Sequence, residues 1–173
     1  VNAGSTTYVV NSLGDAVAND GVVTLREAIW AANATGQFIT TDVSPGSTLE
    51  ADVIVFDREA LEVEAAAAGA SPDDALRIIL TQGELHISDD LQIIGLGPDD
   101  LVLDADRNSR AINVDGAEVF MSGLTITGGR TSGHYFVPHP DAISHPSFDG
   151  GGILVNLGQI DLVDVTLLGN RAE

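Results

Sequence analysis

A degenerate apolar repeat fills the C-terminal half of the chain. Three segments carry it: Leu91-Gln92-Ile93-Ile94-Gly95-Leu96, Val119-Phe120-Met121-Ser122-Gly123-Leu124-Thr125-Ile126-Thr127-Gly128, and Ile160-Asp161-Leu162-Val163-Asp164-Val165-Thr166-Leu167-Leu168-Gly169. In the last two, apolar residues alternate with small or polar ones, and a glycine closes each segment. Alternation with period two marks a strand with one buried face. Recurrence of such strands with turn residues between them predicts short units that bury their faces only by stacking on one another. The expected architecture is an all-β fold, a parallel β-solenoid.

The remaining composition agrees with layered strands. Aromatics make up only 5% of residues while there are 19 glycines, so the core must come from Val, Ile, Leu and Ala with glycine at corners. Residues 1–173 read as one domain: a strand and a helical cap over 1–50, then strands over 51–173, with an inserted loop at about 130–149. The formal net charge is −19, with 26 acidic and 7 basic residues. Such a surface repels phosphate backbones and anionic lipid, which excludes nucleic acid as a partner. It suits a protein kept soluble in salt or divalent cations. Nothing is long and apolar enough to insert in a membrane, and the absence of cysteine leaves the compartment open. A chain that starts at Val1 without methionine or an apolar leader is expected to be processed and secreted. Ending at Glu173 just after a strand, it reads as a fragment or as a chain completed by something else.

One helix is well marked. Thr24 and Glu27 form a capping box, each side chain satisfying a backbone donor at the helix start. Leu25, Ala28, Ile29 and Ala32 follow on one face, and Gly36 is placed to end the helix. This amphipathic helix is expected to cover the apolar end of the stack. Strands are expected at Tyr8–Val10, Val53–Phe56, Leu76–Leu80, Glu84–Ile87, Leu91–Ile94, Leu101–Leu103, Ala111–Val114, Val119–Thr127, Gly152–Val155 and Ile160–Leu168. Residues 57–74, with their run of four alanines, read as an irregular excursion containing at most a short helical turn. The 130–149 insertion holds His134, His139 and His145 among three prolines and three aromatics, and is unlike the rest of the chain. Long loops on a rigid scaffold are where function concentrates.

Taken together, Tyr8-Val9-Val10-Asn11-Ser12, Thr24-Leu25-Arg26-Glu27-Ala28-Ile29 and Ala31-Ala32-Asn33 resemble the N-terminal "CSLREA" module of bacterial and archaeal surface β-helix proteins. Gly123-Leu124-Thr125-Ile126-Thr127-Gly128-Gly129, Gly150-Gly151-Gly152-Ile153 and Gly169-Asn170-Arg171-Ala172 are similar to the ladder that follows in that family. Thr24 stands where the family often has Cys or Ser, and still caps. The resemblance implies a right-handed parallel β-helix with an N-terminal capping helix, secreted or at the cell surface, forming the first part of a longer adhesin-like passenger. It implies no reaction, and it does not account for the histidine-containing insertion.

Four groups are candidate sites. Arg26 and Glu27 read as a cap and a long side chain lying over the end of the stack, or as a catalytic pair. Asp104 and Asp106, at i and i+2, would share one face of a strand; they read as a calcium or acid–base pair, or as turn and surface carboxylates. Asp15, Asn19 and Asp20 supply oxygen ligands in a glycine-bounded loop, a calcium composition without EF-hand spacing; the other reading is Asx-turn chemistry ahead of the helix. His134, His139 and His145 with Asp141, and Asp149 nearby, offer imidazoles and carboxylate suited to a transition metal; the other reading is a Pro-anchored loop whose Tyr135, Phe136 and Phe148 pack on the scaffold. Tyr135 and Phe136 equally suit sugar stacking or a partner.

The function expected is a non-catalytic structural or adhesive module, extracellular and acidic, contacting polysaccharide or a cell-surface component and self-associating through an uncapped C-terminal end. The alternative is a carbohydrate-active enzyme, lyase- or epimerase-like, using surface acidic residues. A groove with convergent carboxylates and a basic residue would favour the enzyme; scattered acids would favour the module.

Overall fold

The computed structural model describes residues 4–34, 42–47, 50–131 and 150–172. The elements run β1 (Thr7–Val10), α1 (Leu25–Asn33), β2 (Asp52–Phe56), α2 (Arg58–Ala67), β3 (Leu76–Ile79), β4 (Leu85–Ile87), β5 (Leu91–Ile94), β6 (Leu101–Asp104), β7 (Ile112–Asp115), β8 (Glu118–Thr127), β9 (Arg130–Thr131), β10 (Ile153–Asn156), β11 (Gln159–Leu168) and β12 (Arg171–Ala172). Every strand pairing is parallel. A seven-stranded sheet has the order β1-β2-β5-β8-β6-β3 with β11 also on β8; β10-β7-β4 and β12-β9 form smaller sheets.

This arrangement corrects the expected all-β solenoid. The fold is mixed α/β, with helices alternating with the first strands and a curled, half-barrel parallel sheet. The curl has a local cause. The first part of β8 pairs with β5, Leu91↔Val119 through Ile94↔Ser122, and its last part with β6, Val102↔Thr125 through Asp104↔Thr127. Gly123 sits between the two halves at φ +66, a conformation that costs an L side chain steric strain. There the strand turns, and two separate strands converge on one. Among the described strands, β10, β11 and β12 repeat β7, β8 and β9 at one constant offset, whereas the earlier pairings differ in offset from one another. The second correction is α2. The stretch expected to be irregular is a ten-residue helix, capped by the Asp57 side chain accepting from the Ala60 N–H at 3.1 Å. Alanine and glutamate supply the propensity, and Leu61 supplies the one buried anchor.

The core lies between the sheets as columns of side chains in register. One runs Tyr8, Ile54, Ile93, Met121 and Leu162 across five strands. Its first four members are buried and Leu162 is 39% exposed. Helix α1 closes the opposite side of this core. Its capping box is present as expected: the Glu27 N–H donates to Thr24 Oγ1 at 3.1 Å, and the Thr24 N–H to Glu27 Oε2 at 2.9 Å. Leu25, Ala28, Ile29 and Ala32 are buried, and the helix packs on β4, β1 and β2. Asn33 ties its end to β4, donating to the His86 carbonyl at 2.7 Å and accepting from the Ser88 N–H at 2.9 Å. The amide therefore mimics a strand residue beside β4.

Two expectations follow. Ile29→Asp places an unpaired charge against the core and should destabilise the fold by about 3 kcal/mol or more in a denaturant melt; an unchanged midpoint would show that α1 does not seal the core. Separately, burial pushes the Tyr8 phenol far above its ordinary value, and the nearby Asp52 carboxylate pushes it the same way. Its hydroxyl donates to the Ser44 carbonyl at 3.0 Å. The unfolded chain releases this proton near pH 10 and the folded chain does not. Stability contributed by Tyr8 is therefore present below pH ~10 and lost as the pH rises beyond it. Melting curves from pH 8 to 11 should show this decline, and Tyr8→Phe should flatten it.

Candidate functional site

The outward face of the seven-stranded sheet carries a groove of about 420 Å³. Register places its strand residues in two rows: Arg77, Val102 and Thr125 in one, and Asp104, Thr127 and Leu168 in the other. Arg77 Nη1 donates to Asp104 Oδ2 at 2.6 Å. The other Asp104 oxygen accepts from the Asp106 N–H at 2.9 Å. Strand β6 stops at Asp104, so Asp106 is not on its face as the i, i+2 spacing suggested. Asp106 and Arg107 instead form a left-handed corner, at φ 48 and φ 60, anchored by the Arg107 N–H donating to the Gly128 carbonyl at 2.7 Å. Gly128 is required there, because a Cβ would run into Asp104 Oδ1. Among the described residues, the Arg107 side chain has no hydrogen bond or ion pair. Sequence reasoning missed Arg77. Its signal was the outward position in Leu76-Arg77-Ile78, but meeting Asp104 depends on a pairing between β3 and β6 that no local pattern specifies.

Chemically, the groove presents the Arg107 guanidinium, free among the described residues, the Arg77 guanidinium paired with a carboxylate, and the exposed Asp106. Asp106 Oδ2 accepts from Asn108 Nδ2 at 3.4 Å. The Thr125 and Thr127 hydroxyls donate to the carbonyls of Pro98 and Leu168, both at 2.7 Å. Most polar groups of the groove are thus already hydrogen-bonded within the protein.

Arg26 and Glu27 are structural. Glu27 caps α1, and its second oxygen accepts from the Ala18 N–H at 2.8 Å. Arg26 forms an ion pair with Asp15 at 2.8 Å and donates to the carbonyls of Gly83 and Glu84. The Asp15 carboxylate, a calcium candidate, also accepts from the N–H groups of Thr81 and Gln82 at 2.7 and 2.9 Å. Asp20 forms an Asx turn with the Val22 N–H at 3.2 Å, and the Asp20 and Gly21 N–H groups donate to Asp42. The two carboxylates therefore serve different turns. Among the described residues, no three His, Asp or Glu side chains gather to hold a metal ion. His134, His139, His145 and Asp141, with Asp149, Tyr135 and Phe136, lie outside the described residues.

A second surface stands out for its apolar exposure. Strands β10, β11 and β12 each pair on one side only among the described residues. Val155, Leu162 and Leu167 align with buried Val114, Met121 and Ile126, yet are themselves substantially exposed. Leu157 is 89% exposed and left-handed, at φ 54. It follows Asn156, the partner of Asp115, and so occupies the place of Gly116, whose φ is 77. A β-carbon is disfavoured in that conformation, so the leucine is there at an energetic cost.

No protein-family model matches the chain. Neither the curated proteins nor the solved structures show a match.

Proposed function

We propose that this chain is a non-catalytic structural and adhesive module, secreted or at a cell surface, that self-associates through the unpaired face of β10 and β11. The observation that carries this reading is the apolar set of Val155 on β10 and Leu162 and Leu167 on β11, two edge strands that pair on one side only among the described residues, with Leu157 held outward beside them. Unpaired backbone groups beside apolar side chains form a template for strand addition. A second copy presents the same face, and a two-fold axis brings the two sets together without generating an open fibre. Helix α1 closes the other side of the core, so head-to-tail stacking has no matching surface. The resemblance of Thr24–Ile29 and the glycine-closed strands to surface proteins supports the same reading.

A second reading, a carbohydrate-active enzyme, is favoured by the groove with Arg77, Arg107, Asp104 and Asp106. It is the weaker of the two because both Asp104 oxygens are already bonded.

Light scattering over a concentration series should show the parent chain associating. Leu167→Arg should raise the dissociation constant by tenfold or more while leaving the fold intact, since this side chain is half exposed. Leu157→Gly should relieve the left-handed strain, stabilise the fold by about 1 kcal/mol, and weaken association. A parent that is monomeric at every concentration would overturn the self-associating reading. For the enzyme, product release from polygalacturonate or alginate that is lost in both Arg107→Ala and Asp106→Asn would displace the module in its favour; no release is expected.

A further inference from the structure

A cleft of about 360 Å³ opens between α1 and β4. One wall is Trp30, the chain's single tryptophan, 43% exposed on a helix whose other large apolar residues, Leu25 and Ile29, are buried. Ile29 and Leu85 form the floor and Val17 the margin. An exposed indole on an otherwise well-covered helix gives up the burial that would stabilise it.

The charged groups around the cleft are already neutralised. Arg26 is held by Asp15 and two carbonyls. The Glu84 carboxylate accepts from Arg110 at 2.7 Å and from Asn113 at 3.1 Å. Both functional atoms of the Asn33 amide are bonded to β4 and the residue following it. Two polar groups are left: among the described residues, the Trp30 indole N–H and the His86 imidazole have no hydrogen-bond partner. Among the described residues the cleft thus combines an apolar aromatic face with two uncommitted hydrogen-bonding groups and no uncompensated charge.

We infer that this cleft binds a neutral sugar ring stacked on Trp30, with its hydroxyls meeting the Trp30 N–H and His86. A pyranose has an apolar C–H face and a polar rim, and the cleft offers that same division. Its volume is at the small end for ligand sites, enough for one ring. Among the described residues an anionic sugar finds no free cation at the cleft, and it faces a protein of net charge −19. A cationic ligand finds one aromatic wall and a carboxylate already paired. The inference rests on the adhesive reading for the source of the sugar, a surface polysaccharide; self-association is measured separately, so either can fail alone.

Because Trp30 is the only tryptophan, its fluorescence reports the cleft directly. Titration with cellobiose, lactose and mannobiose at millimolar concentrations should give a saturable spectral shift with at least one of them, and none with digalacturonate or choline. His86→Ala should weaken that binding several-fold at an unchanged melting temperature. Trp30→Ala, followed by saturation-transfer NMR, should weaken it about tenfold or more. No response to any of the three neutral disaccharides, binding that survives Trp30→Ala, or a response confined to digalacturonate or choline would overturn the inference.

Discussion

One buried carboxylate, that of Asp15, fixes how the first helix sits on the rest of the fold. Asp15 accepts from the Arg26 guanidinium and from the N–H groups of Thr81 and Gln82, while its own carbonyl accepts from Gln82 Nε2 at 2.9 Å. Arg26 extends the contact to the carbonyls of Gly83 and Glu84. The loop after β1, the first turn of α1 and the corner between β3 and β4 therefore meet at one ion pair. A buried pair of this kind contributes little relative to an apolar replacement, yet loss of one partner strands the other and costs about 3–5 kcal/mol. Its role is to set orientation. With Arg26 fixed on that corner, the buried face of α1 turns to the core, Asn33 reaches β4, and Trp30 faces outward.

The same contact shows how far the sequence could be read. The capping box of Thr24 and Glu27 was legible because its partners lie three residues apart, and the inward face of α1 followed from helical spacing. The strands were legible from alternation, and Gly83, Gly116 and Gly128 as corners from their freedom at positive φ. Pairings between distant segments were not legible. Arg77 meets Asp104 across 27 residues and Arg26 meets Gly83 across 57, and periodicity carries no information about either. The same gap accounts for the overturned solenoid: alternating strands closed by glycine suit a curled parallel sheet equally well, and which strand shares β8 is decided by packing. Helix α2 was missed because its alanines have strong propensity but its pattern has a single buried anchor, so the amphipathic signal was faint.

The relation between β7–β9 and β10–β12 separates backbone path from residue chemistry. Gly116, Gly123 and Gly128 are left-handed in the first set; Leu157, Asp164 and Gly169 are left-handed in the second. Asp164 falls between Val163, partner of Ser122, and Val165, partner of Leu124, so it stands where Gly123 does. Asn170 reinforces the match, accepting from the Gly129 N–H and donating to the Ile126 carbonyl, each at 2.8 Å. The ladder hydrogen bonds impose the path, and side chains with a β-carbon are carried into conformations that glycine adopts freely. Aspartate visits this conformation more readily than most residues that carry a β-carbon. Leucine is among the residues least suited to it, and Leu157 is also the most exposed large apolar side chain among the described residues.

Charge then determines where contacts can form. With 26 acidic residues against 7 basic ones, most of the surface repels another copy of itself and any polyanion within a Debye length. The basic residues are all arginines, and Arg26, Arg58, Arg77 and Arg110 are each paired with a carboxylate. Arginine suits this task because its planar fork can serve a carboxylate and a backbone carbonyl at once, as Arg26 and Arg58 both do. Under the proposed adhesive reading, contacts are expected at surfaces where charge is absent or cancelled. Two such surfaces stand out, the apolar set of β10 and β11 and the Trp30 cleft. They lie on different elements, one at a strand edge unpaired among the described residues and the other beside the helix that seals the core, so the two proposed contacts do not compete for the same residues.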